Sequence, residues 1–139
     1  MIHLTNDQRR IGIPETRVRR LARQILGSRS LSIAFVTDRT IRKINRRFLK
    51  HDFATDVLSF PLGGDPWGEV VISAEYAARE AKARGIPLEE EILRYVAHGI
   101  LHLLGYDDHD PRERVRMWRR QERELGKVIR IRKGPDVAR

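Results

Sequence analysis

Apolar residues recur at helical spacing through Val18, Leu21, Ala22, Ile25 and Leu26, which predicts a helix opened by Ile13-Pro14 and ended by Gly27. Residues 31–36 (LSIAFV) are short, apolar and partly β-branched instead, the pattern of a buried strand. Asp38 is then placed to cap a helix with Ile41, Ile44 and Phe48 on one face. Residues 56–60 and 69–73 read as two further strands, and Gly63, Gly64, Asp65, Pro66 and Gly68 between them have the turn composition of a hairpin. An alanine-rich helix follows over residues 74–84 and stops at Gly85. Pro87 and the run Glu89, Glu90, Glu91 open the next helix, where the positive end of its dipole favours carboxylates. Its apolar positions, Ile92, Leu93, Val96, Ala97, Ile100, Leu101 and Leu104, wrap too far around for a surface helix, so this is expected to be the central one. Asp110, Pro111 and Glu113 combine a cap, a proline at the first position and an acid three residues on, which predicts a last helix reaching Leu125 and ending at Gly126. The elements sum to an α+β (mixed α/β) fold: a small mixed sheet of about four strands packed with about five helices around the central helix. Residues 1–126 form the expected single domain and 127–139 a basic C-terminal tail.

A length of 139 residues suits one domain, since two would each be near the size at which a core becomes marginal. With no cysteine, neither a disulfide nor a thiolate nucleophile or ligand is available. The first twenty residues lack the apolar run of a secretory signal, and no stretch approaches the ~20 apolar residues of a membrane-spanning helix. A cytoplasmic protein without a membrane partner is the expectation. The net charge of +9 is unevenly spread: residues 1–50 and 110–139 are strongly basic, while 51–109 carry 11 acidic side chains against 4 basic ones. Two basic flanks around an acidic centre suggest a polyanion gripped beside a site that has its own carboxylates. Arginine makes up most of the cations, and its planar fork suits phosphate oxygens.

The acidic centre also holds three histidines, His98, His102 and His109, in the segment HGILHLLGYDDH. On a helix His98 and His102 lie one turn apart and only about 40° from each other, the spacing by which paired histidines take one metal ion. A continuous helix would carry His109 roughly 10 Å further along. Zinc–nitrogen bonds are only about 2.0–2.1 Å, so the chain must turn back for His109 to join them. Gly105, just past the last apolar turn, is placed to end the helix and return it. Two helical histidines and a third from the returning loop leave a fourth zinc position for water, which is the layout of a catalytic site. The position after the first histidine, where metallopeptidases place a glutamate base, is Gly99, which disfavours peptidase chemistry.

HGILHLLGYDDH closely resembles the histidine helix, HGxLHLxGYDH, of the bacterial YbeY single-strand-specific endoribonucleases that act in ribosomal RNA maturation. NRRFLKHDFATDVLSFPL (residues 45–62) and GEVVIS (68–73) are similar to two further segments of that family, and the likeness spans roughly residues 30–125. The resemblance implies a metallohydrolase domain of α/β type with one zinc ion per chain and His98, His102 and His109 as ligands. It also implies single-stranded ribosomal RNA as substrate, the small ribosomal subunit or its proteins as partners, and no small-molecule cofactor. The chain departs from the family at two places. The family usually has five residues between its second and third histidines and this chain has six, so either the loop bulges and His109 still binds, or Asp108 takes the ligand place. Leu49 stands where the family typically carries a functional arginine, for which Arg46, Arg47 or Lys50 are the substitutes at hand.

Arg46 and Arg47 are therefore catalytic candidates, the alternative being a solvated helix face. Asp56 and Ser59 are candidates at the mouth of their strand; the alternatives are a turn or cap role for Asp56 and a backbone-bonded hydroxyl for Ser59. Trp67, in a Gly/Pro-rich loop, is the better placed tryptophan for stacking on an unpaired base, and Trp118 the better placed for core packing. A non-catalytic RNA-binding assembly factor with a structural metal is the rival to a nuclease.

Overall fold

A computed structural model describes residues 1–130. In chain order the elements are β1 (Ile2–Asn6), α1 (Glu15–Leu26), β2 (Leu31–Val36), α2 (Asp38–Leu49), β3 (Val57–Pro61), β4 (Gly68–Ser73), α3 (Ala74–Arg84), α4 (Leu88–Leu103) and α5 (Pro111–Gly126). The four strands form one mixed sheet in the order β1-β2-β4-β3, with β1 and β4 parallel to β2 and β3 antiparallel to β4. This is the α+β fold that the pattern predicts, with the β3–β4 hairpin in place. β1 is an addition. Its alternation of Ile2 and Leu4 inward with His3 and Thr5 outward is a strand signal, but too short to stand out from the polar residues around it.

The period of two in the strands sorts side chains between two cores. Ile33 and Phe35 of β2, Val70 and Ile72 of β4 and Val57 of β3 face the main core, built with α1, α3, α4 and α5. Val36, Val71, Leu58 and Phe60 face the other way, onto Ile41 and Ile44 of α2. The helix caps are mostly side chains of the expected kind. Asp110 accepts from the Arg112 N–H at 2.8 Å and Ser73 from that of Tyr76 at 3.1 Å. At α2 the cap is Thr37, whose Oγ1 accepts from the Thr40 N–H at 3.2 Å. Asp38 instead accepts from the Ser73 hydroxyl and pairs with Arg79, tying the starts of α2 and α3 together. The core continues past Gly126, since Val128 is buried against it; residues 131–139 of the expected basic tail lie outside the described residues. Among the described residues no helix is long and apolar enough to cross a membrane.

α4 is the central helix, packed against α1, α3, α5, β3 and β4. It lies tight against the sheet at Gly99, where a Cβ would lie 2.6 Å from Val70 Cγ1 and 2.9 Å from Val57 Cγ1. Both neighbours are β-branched and stiff at χ1, so neither can move aside cheaply. Gly99→Ala is therefore expected to destabilise the fold by about 1–3 kcal/mol through overpacking, against the usual helix preference for alanine. Gly12→Ala, where nothing lies within 4 Å, should stay within about 0.5 kcal/mol of the wild type. Urea unfolding checks both, as a lowered midpoint at unchanged slope for Gly99→Ala alone.

Candidate metal centre

The last two turns of α4 carry His98 and His102 with their ring nitrogens converging, Nε2 to Nε2 at 3.1 Å. Each ring is held from behind. His102 Nδ1 lies 3.1 Å from the backbone carbonyl of Tyr106, which can only accept, so in the neutral ring Nδ1 carries the proton and Nε2 is bare. His98 Nδ1 lies 2.8 Å from Gln121 Oε1. That amide is oriented by its own N–H, which donates to the Glu122 carboxylate at 3.1 Å, so its oxygen faces the ring and His98 likewise presents a bare Nε2. Burial, and then the neighbouring His102, hold His98 below the usual histidine pKa, which favours the neutral, ligating form.

After Leu104 the chain turns back through Gly105, whose φ of 97° is open to glycine at little cost. The Tyr106 N–H donates to the Leu101 carbonyl at 3.0 Å, which closes the helix end. The returning loop places Asp108 against the histidines, with Oδ2 3.6 Å from His98 Nε2 and 3.5 Å from His102 Nε2. Ligands arranged tetrahedrally around one zinc at its usual bond lengths are about 3.4 Å from each other. The three observed separations fit that spacing. The donor set of two imidazoles and a carboxylate suits zinc. His98, His102 and Asp108 are thus a group able to hold a metal ion.

His109 does not join them. Its side chain is 92% exposed and its ring faces Asp107, Nε2 to Oδ1 3.8 Å. The reason is the residue count: the loop is pinned at Gly105 and again by the Asp110 cap, so it has little slack to absorb the extra residue. Asp108, the sixth residue after His102, stands in the family's third-histidine place, and His109 falls one residue further on, into solvent.

Beside the centre is a cavity of about 190 Å³ lined by His98, Asp108, Asp56, Arg114, Trp118 and Gln121, among others. Asp56 is oriented by the Val57 N–H and the Thr55 hydroxyl, which donate to its Oδ1 at 2.8 and 3.2 Å. The other expected catalytic side chains are elsewhere. Ser59 donates its hydroxyl to the Gly99 carbonyl at 2.8 Å and is a packing contact between β3 and α4. Arg46 and Arg47 are exposed on α2, which covers the opposite face of the sheet, and neither lines the cavity. The tryptophans exchange their expected places. Trp118 lines the cavity, whereas Trp67 packs on the main core with the Arg29 guanidinium 4.9 Å over its ring. Arg114, Trp118 and Gln121 recur at i, i+4 and i+7 on α5, a spacing that marks one helix face in the sequence without revealing what it faces.

Residues 3–128 match the family described as endoribonuclease YbeY. A protein named endoribonuclease YbeY from Chlorobium phaeovibrioides is 39% identical over 131 residues, covering 89% of this chain and 88% of that one. One of the same name from Myxococcus xanthus is 50% identical over 104 residues, covering 69% of this chain but only 35% of the relative, and in one from Anaeromyxobacter dehalogenans the match spans 53% of the relative. A solution structure of a Thermotoga maritima protein superposes with a TM-score of 0.66 at 27% identity, covering 92% of this chain and 89% of that one. A family match along nearly all of the described fold, joined to a relative aligned over most of both lengths, establishes that the chain belongs to the endoribonuclease YbeY family.

Proposed function

We propose that the protein is a zinc-dependent endoribonuclease that cleaves single-stranded ribosomal RNA during small-subunit maturation in the cytoplasm. The observation that carries this reading is the convergence of His98, His102 and Asp108 at the edge of a cavity that also holds a carboxylate, an arginine and an indole. His98, His102 and Asp108 would hold the ion, which when bound supplies Lewis-acid stabilisation to a scissile phosphate. Arg114 is placed to contact phosphate oxygens, where a planar, always-charged fork stabilises developing negative charge. Asp56, its carboxylate already oriented, accepts a proton from the attacking water. Trp118 offers an indole face to an unpaired base, and a stacked base in a duplex has no such face to give, so the cavity selects single strands. Arg46 and Arg47, exposed on α2, bind phosphates along the flanking strand rather than at the scissile bond. Three side chains converge here among the described residues, whereas a purely structural zinc takes four, which favours a nuclease over an assembly factor with a structural metal.

Purified protein should cleave single-stranded RNA and spare the same sequence as a duplex, with cleavage abolished by a chelator and by His102→Ala. Cleavage that survives both would place the chemistry elsewhere.

Zinc content separates the two loop residues. Asp108→Asn should fall well below the wild type's expected ratio of about one ion per chain, while His109→Ala should keep it. Mass spectrometry of the metal in the purified variants reads this directly.

Asp56→Asn should retain zinc but lose about 10²–10⁴-fold in kcat, as expected for a missing general base. Single-turnover cleavage under saturating enzyme checks the loss in the chemical step.

A further inference from the structure

Behind His98 runs a chain of contacts longer than holding one ring requires. Gln121, 2% exposed, accepts from His98 Nδ1 at 2.8 Å and donates to Glu122 Oε2 at 3.1 Å. Glu122 is gripped in turn by Arg94, through Nε to Oε2 at 3.0 Å and Nη2 to Oε1 at 2.8 Å. Arg94, 3% exposed, gives two further donors to Glu91 at 2.9 Å and Glu90 at 3.0 Å. Every link has a fixed polarity: a guanidinium only donates and a carboxylate only accepts. Glu122 therefore must receive the Gln121 amide N–H, and the amide oxygen is left facing the ring. A glutamine without that constraint can flip and offer its N–H to an imidazole nitrogen, which would favour the other tautomer.

We propose that Gln121 is a positioning residue which, clamped by Glu122 and Arg94, fixes the His98 tautomer with Nε2 bare toward the site. The relay passes polarity from α4 to α5 and back, so the state of a ring at one end of α4 is set by a buried guanidinium one turn earlier. His102 is fixed by a different device, a backbone carbonyl of the loop. The two rings thus depend on separate parts of the fold. This proposal rests on the metal-centre reading for its purpose but not for its test, because the tautomer is a property of the metal-free protein.

The test is nitrogen-15 NMR of the histidine rings in metal-free protein near pH 8, where neutral rings report which nitrogen is protonated. Wild-type His98 and His102 should both be in the Nδ1–H form. Gln121→Met keeps the volume and removes the acceptor; it should leave His102 unchanged and convert His98 to a mixture of tautomers. Glu122→Ala should loosen His98 in the same way although it never touches the ring. Zinc affinity, measured by chelator competition, should drop about 10–100-fold in Gln121→Met. Dispersed amide spectra confirm that each variant is folded. A His98 that stays wholly Nδ1–H in both Gln121→Met and Glu122→Ala would overturn the relay. A wild type with the expected tautomer but no zinc binding would instead overturn the metal reading and leave the relay standing.

Discussion

Where α4 crosses β3 and β4 there is no room for a side chain, and Gly99 is what allows the helix to sit that close. Ser59 completes the contact with a hydroxyl on the Gly99 carbonyl, so helix and hairpin meet through backbone as well as packing. The contact lies one residue from His98 and three from His102, and it therefore sets the depth and rotation at which both rings emerge. The same residue removes the glutamate base of metallopeptidases, whose side chain would collide with Val70 and Val57. One steric constraint thus both builds this centre and separates it from a peptidase.

At the other end of α4, Glu90 and Glu91 are buried rather than displayed, each paired with Arg94. Replacing such a cluster with apolar groups is often harmless to stability, so its place here is better explained by direction than by strength. A guanidinium with four of its five donors on three carboxylates leaves those partners little freedom in how they point. Arg84 adds a second cation to Glu91 from the end of α3, so three helices are registered through this one cluster.

The helices are legible in the sequence because each is long enough to display its period, and α4 stands out because its apolar positions run nearly all the way round. β1 is not, because five residues leave an alternation only two apolar positions deep. The histidine pair is legible because both members sit on one helix, where spacing alone fixes geometry. The third ligand depends on how a loop absorbs one extra residue: its two ends, Gly105 and the Asp110 cap, are readable, but which side chain between them meets the rings follows from how α5 returns across α4. Trp118, Arg114 and Gln121 share a visible helical face, yet no local pattern says that the face looks into a cavity and not into the core. Ser59 and Trp67 show the reverse, polar and aromatic groups whose setting in a functional-looking segment is explained by packing.

The hairpin divides sharply in its tolerance of length. β3 faces α4 with Val57 and Ser59 and α2 with Leu58 and Phe60, so a single residue gained or lost within the strand would exchange those two sets and turn the serine away from its carbonyl. At the tip, beyond Pro61, Gly63 and Gly64 meet no neighbouring atoms within reach of a side chain. Added length at those two glycines would extend into open space, while Asp65 and Trp67, both hydrogen-bonded to Ser30, hold the far side of the turn. Length is thus tolerated at two residues of the turn, while the strand beneath must keep its parity.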